Sequence, residues 1–427
     1  MSPYRRGPYD GPGTGCAMNG GRPAPFRTAD VPLPDPYPHY RAYRERDPVH
    51  LGADGAWYLF RHADVAQVLG DRRYLRGGPP AQLPRTCPHL RTTVANWMVF
   101  MDPPRHTRVR ALVARSFTPG VVEALRPRIR RLAKSLVAEL REEAEADFVD
   151  RFAAPFPLLV ISELLGVRAG DRDWFRSRAV DLQQATGSRV ARRAGAFAMA
   201  DAAARELDTY FRNELARRRA GREQNRADLI SVLLRRAAGQ GFGDEVLVGT
   251  CIHLLTAGHE TTTNLLSKGL LALFAHPDQL ALLRAGPEPL PSAVEELIRY
   301  DPPVQMVTRQ AQEDVQVGGR VIRRGSRLVL VLGSANRDPE SFPDPDRLDL
   351  RRDTGRHSGF GMGTHYCVGA SLARAEAELG LGALLRGLPG LAPADEPVRY
   401  SQDLVFHGPS RLLVRTGKQR PDGTSAK

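Results

Sequence analysis

The stretch Phe360-Gly361-Met362-Gly363-Thr364-His365-Tyr366-Cys367-Val368-Gly369 crowds three glycines and two aromatic residues around a single cysteine. A helical pattern begins immediately after it, with Leu372, Ala375, Leu379 and Ala383 recurring on one face. Cys367 therefore stands just ahead of a helix N-terminus. Unpaired N–H groups and the positive end of the helix dipole favour an anion there, so the sulfur is expected as a thiolate. The glycines allow the backbone to approach something flat and bulky. A sulfur held in this way is either a metal ligand or a nucleophile.

Working outward, 427 residues can bury a large core, and 42% hydrophobic with 26% charged residues is ordinary for a globular chain. The four cysteines, Cys16, Cys87, Cys251 and Cys367, lie far apart and form no C-x-x-C pair. That spacing argues against a disulfide framework and a structural zinc site, and it fits a reducing cytoplasm. The N-terminus carries no apolar run of the secretory kind, so a cytoplasmic location is expected. The most apolar long segment, 246–275, contains His253, His259, Glu260 and Lys268 and is too polar to span a bilayer. Lys plus Arg exceed Asp plus Glu by 61 to 48, a net charge of +13, yet no basic block is interleaved with aromatic residues. A nucleic-acid partner is not expected.

Residues 1–25 are dense in Gly, Pro and Arg. A flexible tail is expected over 1–30, a single catalytic domain over 31–417 and a second short tail over 418–427. Arg41–Arg46 reads as a short helix, 48–51 and 56–60 as strands joined by a turn, and Ala63–Leu69 as a helix. Residues 76–101 read as one long loop, and loops of that length are usually functional. Pro103-Pro104 opens a helix carrying His106 and Arg110 on one face. Helical patterns follow at 121–145, 155–166, 171–185, 190–220, 226–238, 244–275 and 291–300. The later text turns β-rich, with a hairpin at 315–322, a strand at 327–332 and a strand pair within 397–415.

A second feature stands out inside the longest helical pattern, Ala257-Gly258-His259-Glu260-Thr261-Thr262. A mid-helix Gly costs about 1 kcal/mol and a buried carboxylate needs a partner. Local rules broken together point to a functional site. The rival account of the same residues is a Thr bonded back to a helix carbonyl beside an exposed Glu.

The spacing Phe-Gly-x-Gly-x-His-x-Cys-x-Gly resembles the haem-binding loop of the cytochrome P450 superfamily in its soluble bacterial form. Other family motifs follow in order from about Pro36 to Arg415, and the Arg- and Ala-rich composition resembles actinobacterial chains. The resemblance implies a mainly α fold with a smaller β-rich region, and haem b between a long distal helix and the helix after the cysteine loop. It implies that Cys367 is the axial iron ligand, with Phe360 packed on the ligand side and Gly369 in the following turn. His106, Arg110, Arg309 and His365 would hold the two propionates. Glu260 and Thr261 would form the acid–alcohol pair that serves oxygen activation. Glu296 and Arg299, with Arg347, would form the structural Glu-Arg-Arg network.

By family position, Trp97, Met98, Leu254, Ala257, Val304, Met306, Val405 and Phe406 would contact substrate, as would the 181–190 stretch. Core packing would explain each of these equally well. The implied activity is that of a monooxygenase using O2 on a small organic molecule, by hydroxylation, epoxidation or oxidative coupling, in the manner of secondary-metabolite tailoring. No flavin or iron–sulfur segment is visible, so a separate acidic ferredoxin and its reductase would supply electrons, steered by basic residues on the Cys367 side. No membrane is implied. The rival from another class is a haem-binding sensor or carrier that never turns over.

Overall fold

The computed structural model describes residues 18–19, 22–79, 83–186, 195–221, 228–286 and 290–418. Parts of three expected segments, 1–17, 187–190 and 419–427, lie outside the described residues. The chain is organised around one long helix and one sheet, and the helices are introduced here only where they position the site. Helix α1 is Tyr37–Arg46, α2 is Pro88–Ala95, α3 is Arg105–Ala114, α4 is Pro119–Arg141, α5 is Asp244–Ala275, α6 is Leu290–Tyr300 and α7 is Ala370–Gly387. The 32 residues of α5 make a rod of about 48 Å. Asp244 and Glu245 in its first turn complement the dipole, and it stops at His276, whose successor Pro277 opens another helix. Apart from a few positions in its middle, α5 is buried nearly end to end, with α7, α6 and the helix Pro155–Leu165 packed against it.

The main sheet contains β1 (Val49–Leu51), β2 (Trp57–Leu59), β3 (Tyr74–Leu75), β4 (Met306–Ala311) and β5 (Arg327–Val331), in the order β1-β2-β5-β4-β3. Strand β5 runs parallel to β2 and antiparallel to β4, with Leu328 opposite Arg309. The hairpin Val315–Val317/Arg320–Ile322 turns at Gly318 and Gly319, both at positive φ, as the sequence predicts. The pair expected within 397–415 is split. Arg399–Tyr400 pairs with Pro409–Arg411, while Leu413–Arg415 joins a separate sheet with Ala392–Pro393 and Glu145–Asp147.

Three expectations are corrected. The 76–101 stretch is not one loop, because it contains α2. That helix is held from outside, by the Asp201 carboxylate accepting from the Leu90 N–H at 2.8 Å. The tail boundary at residue 30 is too late, because Phe26 is 1% exposed. Its ring packs against Tyr43, Tyr58 and Phe60, and its N–H donates to His50. Arg347 is exposed, and the Glu-Arg-Arg network is completed by a different residue. Glu296, wholly buried, accepts from Arg299 at 2.7 and 2.9 Å and from Arg352 Nε at 3.1 Å. The Arg352 guanidinium also holds the Asp344 and Arg347 carbonyls.

Candidate active site: a cysteine loop, a cation cluster and a broken helix

The cysteine loop folds back on itself. The Cys367 N–H donates to the Phe360 carbonyl at 2.9 Å, Tyr366 to Gly363 and Gly361 to Ser358. Gly361 and Gly363 have φ of +69° and +65°, a region that favours glycine. At Gly363 a Cβ would lie 2.2 Å from the Leu69 carbonyl oxygen, so the loop can approach the end of the helix His62–Gly70 only with glycine there. Phe360 packs against Leu265 of α5, Val294 and Ile298 of α6 and Ala377 of α7. The Arg374 guanidinium lies 4.4 Å from the Phe360 ring centre and is paired to Glu295. Despite the desolvation that burial imposes, hydrogen bonds from His357 and Arg374 hold the Glu295 carboxyl down to about 2.

Cys367 is solvent-exposed at the open side of this loop. Desolvation by the surrounding protein still pushes the thiol above its ordinary value, against the Gly369 N–H and the Arg110 and Arg374 charges that pull it down. Coordination to a metal ion would deprotonate it outright.

Beside this loop the structure gathers two histidines and several arginines. The His106 and His365 rings lie 4.2 Å apart between centres, and neither nitrogen of the buried His106 has a hydrogen-bond partner. Arg309 reaches in from β4, and alternation along the strand makes it buried while Gln310 is exposed. Arg110 donates to the Tyr366 carbonyl at 2.7 Å, against the cysteine loop. Burial, followed by the charges of Arg309, His106, Arg76 and Arg110, drives His365 down to about 3. Burial also lowers Arg309 to about 10, with Asp102 the carboxylate that opposes it.

The distal side is built by α5. Ala257 is exposed and Gly258, Glu260 and Thr261 are half-buried, in the middle of a helix whose flanking turns are buried. A Cβ on Gly258 would meet Ile161 only at 3.7 Å, an ordinary contact, so protein packing does not require glycine there. The Thr261 hydroxyl donates to the Ala257 carbonyl at 2.8 Å, which realises half of the rival account. Glu260 is half-buried and has an interaction partner, which departs from the other half. One residue further on, Thr262 hydrogen-bonds Glu376 of α7. This contact ties the broken stretch to the helix that begins at the cysteine loop.

The expected substrate residues divide. Val304 and Phe406 form an isolated β-bridge, which joins the two expected substrate loops, and Gln305 N–H donates to the Val405 carbonyl. Trp97 and Met98 are buried near α5, where Trp97 stacks on His253 at 5.3 Å. Leu254 belongs to the main core, and Met306 packs among Tyr37, Tyr40 and Phe60 in a second one. Sequence reasoning missed Arg76 and His253. Each is an isolated residue whose partners are distant in the chain, so no local pattern marks it.

Comparison with known proteins fits this arrangement. The family model for Cytochrome P450 matches residues 191–285 and 289–405. Over 405 residues the chain is 40% identical to the cytochrome P450 monooxygenase PikC of Streptomyces venezuelae, spanning 91% of this chain and 93% of that protein. This chain is a cytochrome P450. It is also 40% identical to the vitamin D(3) 25-hydroxylase of Pseudonocardia autotrophica, over 90% of this chain and 94% of that one. The crystal structure of CalO2 superposes with a TM-score of 0.84 at 35% identity, covering 92% and 98%. That of P450BioI, in complex with a hexadec-9Z-enoic acid ligated acyl carrier protein, reaches 0.84 at 33%.

As a cytochrome P450 monooxygenase the protein takes a haem-thiolate cofactor, and its residues fit one. A soft sulfur ligand sits in a glycine-shaped loop, and the cations beside it have Asp102 as the carboxylate that offsets them. Two propionates are the complement such a cluster lacks. Among the described residues no helix is long and apolar enough to cross a membrane, and no cluster of three His, Cys, Asp or Glu could hold a further metal.

Proposed function

We propose that this cytochrome P450 binds haem b through Cys367 and, with electrons from a separate acidic ferredoxin, uses O2 to oxidise a small, largely apolar molecule as a tailoring step in secondary metabolism. The observation that carries the reading is the accessible strip Ala257-Gly258-Glu260-Thr261 in an otherwise buried helix, tied through Thr262 and Glu376 to the helix that begins at the cysteine loop. Haem ligated by a thiolate supplies the oxygen-activating chemistry when bound. His106, Arg309 and His365 hold its carboxylates, with Arg110 between them and the sulfur side. Thr261 can exchange its bond to the Ala257 carbonyl for one to a water at the exposed strip, and Glu260 can hold and pass on a proton there. Val304, Phe406 and Trp97 orient an apolar substrate over the strip. Tyr366, 38% exposed, lies between Arg110 and Arg374 on the outer side of the cysteine loop, a face suited to an acidic redox partner.

The relatives named above support a small-molecule substrate, and the tailoring role rests on relatives such as the polyketide biosynthesis cytochrome P450 PksS of Bacillus subtilis, 35% identical over 90% of this chain. The test has two arms. The reduced, CO-bound protein is expected to give the red-shifted Soret band of thiolate ligation, lost in Cys367→Ala. With a ferredoxin system and a turned-over substrate, Thr261→Ala is expected to consume O2 while losing roughly tenfold or more of product per O2, in line with the 10²–10⁴-fold typical of lost proton delivery. A variant still fully coupled would refute the role of Thr261.

A further inference from the structure

Arg76 follows the short strand β3 and belongs to none of the motifs that define the site. Its guanidinium donates from Nε to the Val99 carbonyl at 3.0 Å and from Nη1 to both the Thr308 carbonyl, at 2.9 Å, and the Thr308 hydroxyl. Arg309 donates from its own Nη1 to the same Thr308 carbonyl, at 2.8 Å. Two guanidinium groups thus converge on one neutral oxygen. Among the described residues neither has a carboxylate in salt-bridge contact, since Asp102 is engaged by the backbone N–H groups of Arg76 and Gly77. Among the described residues Arg76 Nη2 makes no hydrogen bond. Such a pair repels unless an anion lies between or beside its members. Burial and then Arg309 lower Arg76 to about 10.

The other side of Arg76 leads to the distal helix. Its guanidinium carbon is 5.1 Å from the centre of the Phe100 ring, Phe100 stacks on Trp97 at 6.1 Å and 9°, and Trp97 stacks on His253 at 5.3 Å and 20°. His253 is one helical turn before the exposed Ala257, and about 40° from it around α5. The column is pinned at its middle. Arg105 holds the Asn96 side chain, and a Cβ on Gly249 would lie 2.4 Å from Asn96 Cβ, so the backbone beside Trp97 packs directly on α5.

We infer that Arg76 is a further cofactor-binding residue: its free Nη2 and its charge join Arg309 on a haem propionate, and its stack on Phe100, Trp97 and His253 ties that propionate to the wall of the distal helix. The inference rests on the haem-thiolate reading proposed above.

The test uses the full-length haem-loaded protein and variants Arg76→Gln and Arg76→Lys, with two readouts that do not depend on turnover. These are the rate of haem transfer to excess apomyoglobin and the ferric/ferrous reduction potential. Arg76→Gln is expected to release haem about tenfold faster, equivalent to ~1.4 kcal/mol. Its potential should fall, because loss of a nearby positive charge disfavours the ferrous form. Arg76→Lys is expected to keep the wild-type potential while releasing haem faster, since it retains the charge and loses the planar stack and fork. Wild-type haem release and potential in Arg76→Gln would reduce Arg76 to a loop brace. Should Arg76→Gln fail to fold, a potential in Arg76→Lys that drops despite the retained charge overturns the inference. If the wild-type protein itself lacks the red-shifted ferrous–CO band, the haem-thiolate reading fails instead.

Discussion

Lys268→Met tests a buried ion pair on the distal helix. Lys268 lies on α5 two turns beyond Thr261, and its side chain is 1% exposed. All three ammonium protons are used, on Asp301 Oδ1 at 2.5 Å, the Pro302 carbonyl at 2.9 Å and His407 Nδ1 at 3.0 Å. Removing the cation takes from the Asp301 carboxylate, 9% exposed, its ammonium partner, while the bonds from Tyr37 Oη at 2.5 Å and Gln305 Nε2 at 3.3 Å stay. Breaking one side of a buried pair costs about 3–5 kcal/mol, whereas removing both charges is often close to neutral. With about 2 cal/mol/K of unfolding entropy per residue over 427 residues, a loss of about 4 kcal/mol lowers Tm by about 4–5 °C.

The assay is thermal and urea unfolding of wild type, Lys268→Met, Asp301→Asn and the double variant. Lys268→Met is expected to be the least stable, and the double variant should recover most of the loss. The pH dependence has a definite sign. Despite its burial, Asp301 is held below the usual carboxylate range by Lys268, so its contribution is present at neutral pH and lost as pH falls through its folded value. The deficit of Lys268→Met should therefore narrow in acid, where a protonated Asp301 needs no cation. A single variant within 1 kcal/mol of wild type, or a double variant as unstable as the single, would refute the reasoning.

Gly363→Ala should destabilise the cysteine loop by about 2 kcal/mol or more, because it combines a positive φ with a backbone clash; haem content after purification and Tm measure it. Arg352→Met is expected to cost about 3 kcal/mol and Arg347→Met less than about 0.5 kcal/mol in urea unfolding, since only the former meets the buried Glu296. Burial drives Glu376 up to about 8, with Thr262 opposing. The native state then binds a proton that the unfolded chain releases, and stability falls by up to about 1.4 kcal/mol per pH unit as pH rises from the ordinary carboxyl value toward 8. Glu376→Gln should remove that slope and be the more stable protein at pH 8, as read from urea midpoints across that range.

Much of this site is legible in the sequence because its chemistry is locally encoded. Cys367 and its glycines lie within ten residues, Glu260 and Thr261 are adjacent, and α5 spans 244–275 both in the pattern and in the structure. Information was lost wherever a residue depends on a partner far along the chain. Helix α2 is only eight residues long, opens on Pro88 and is stabilised by Asp201 from a different helix, so its own text reads as loop. Arg347 and Arg352 are equally arginine in sequence, and only the path of the turn from Pro343 decides which guanidinium reaches Glu296. Phe26 follows a Gly- and Pro-rich run, and its burial depends on aromatic rings more than ten residues away. The thiol of Cys367 is a balance of desolvation against dipole and charge, and composition does not reveal which prevails.

The Val304–Phe406 bridge separates the path of the main chain from the identity of the side chains it carries. The two loops are held by main-chain bonds, by the Asp403 carboxylate accepting from the Val405 and Phe406 N–H groups and by Asn264 donating to the Phe406 carbonyl. None of those bonds uses the side chain of Val304, Val405 or Phe406. If, as proposed, Val304, Val405 and Phe406 face the substrate, those three positions can be exchanged during divergence while the frame around them stays put, so a lineage can try new substrates without renegotiating the fold.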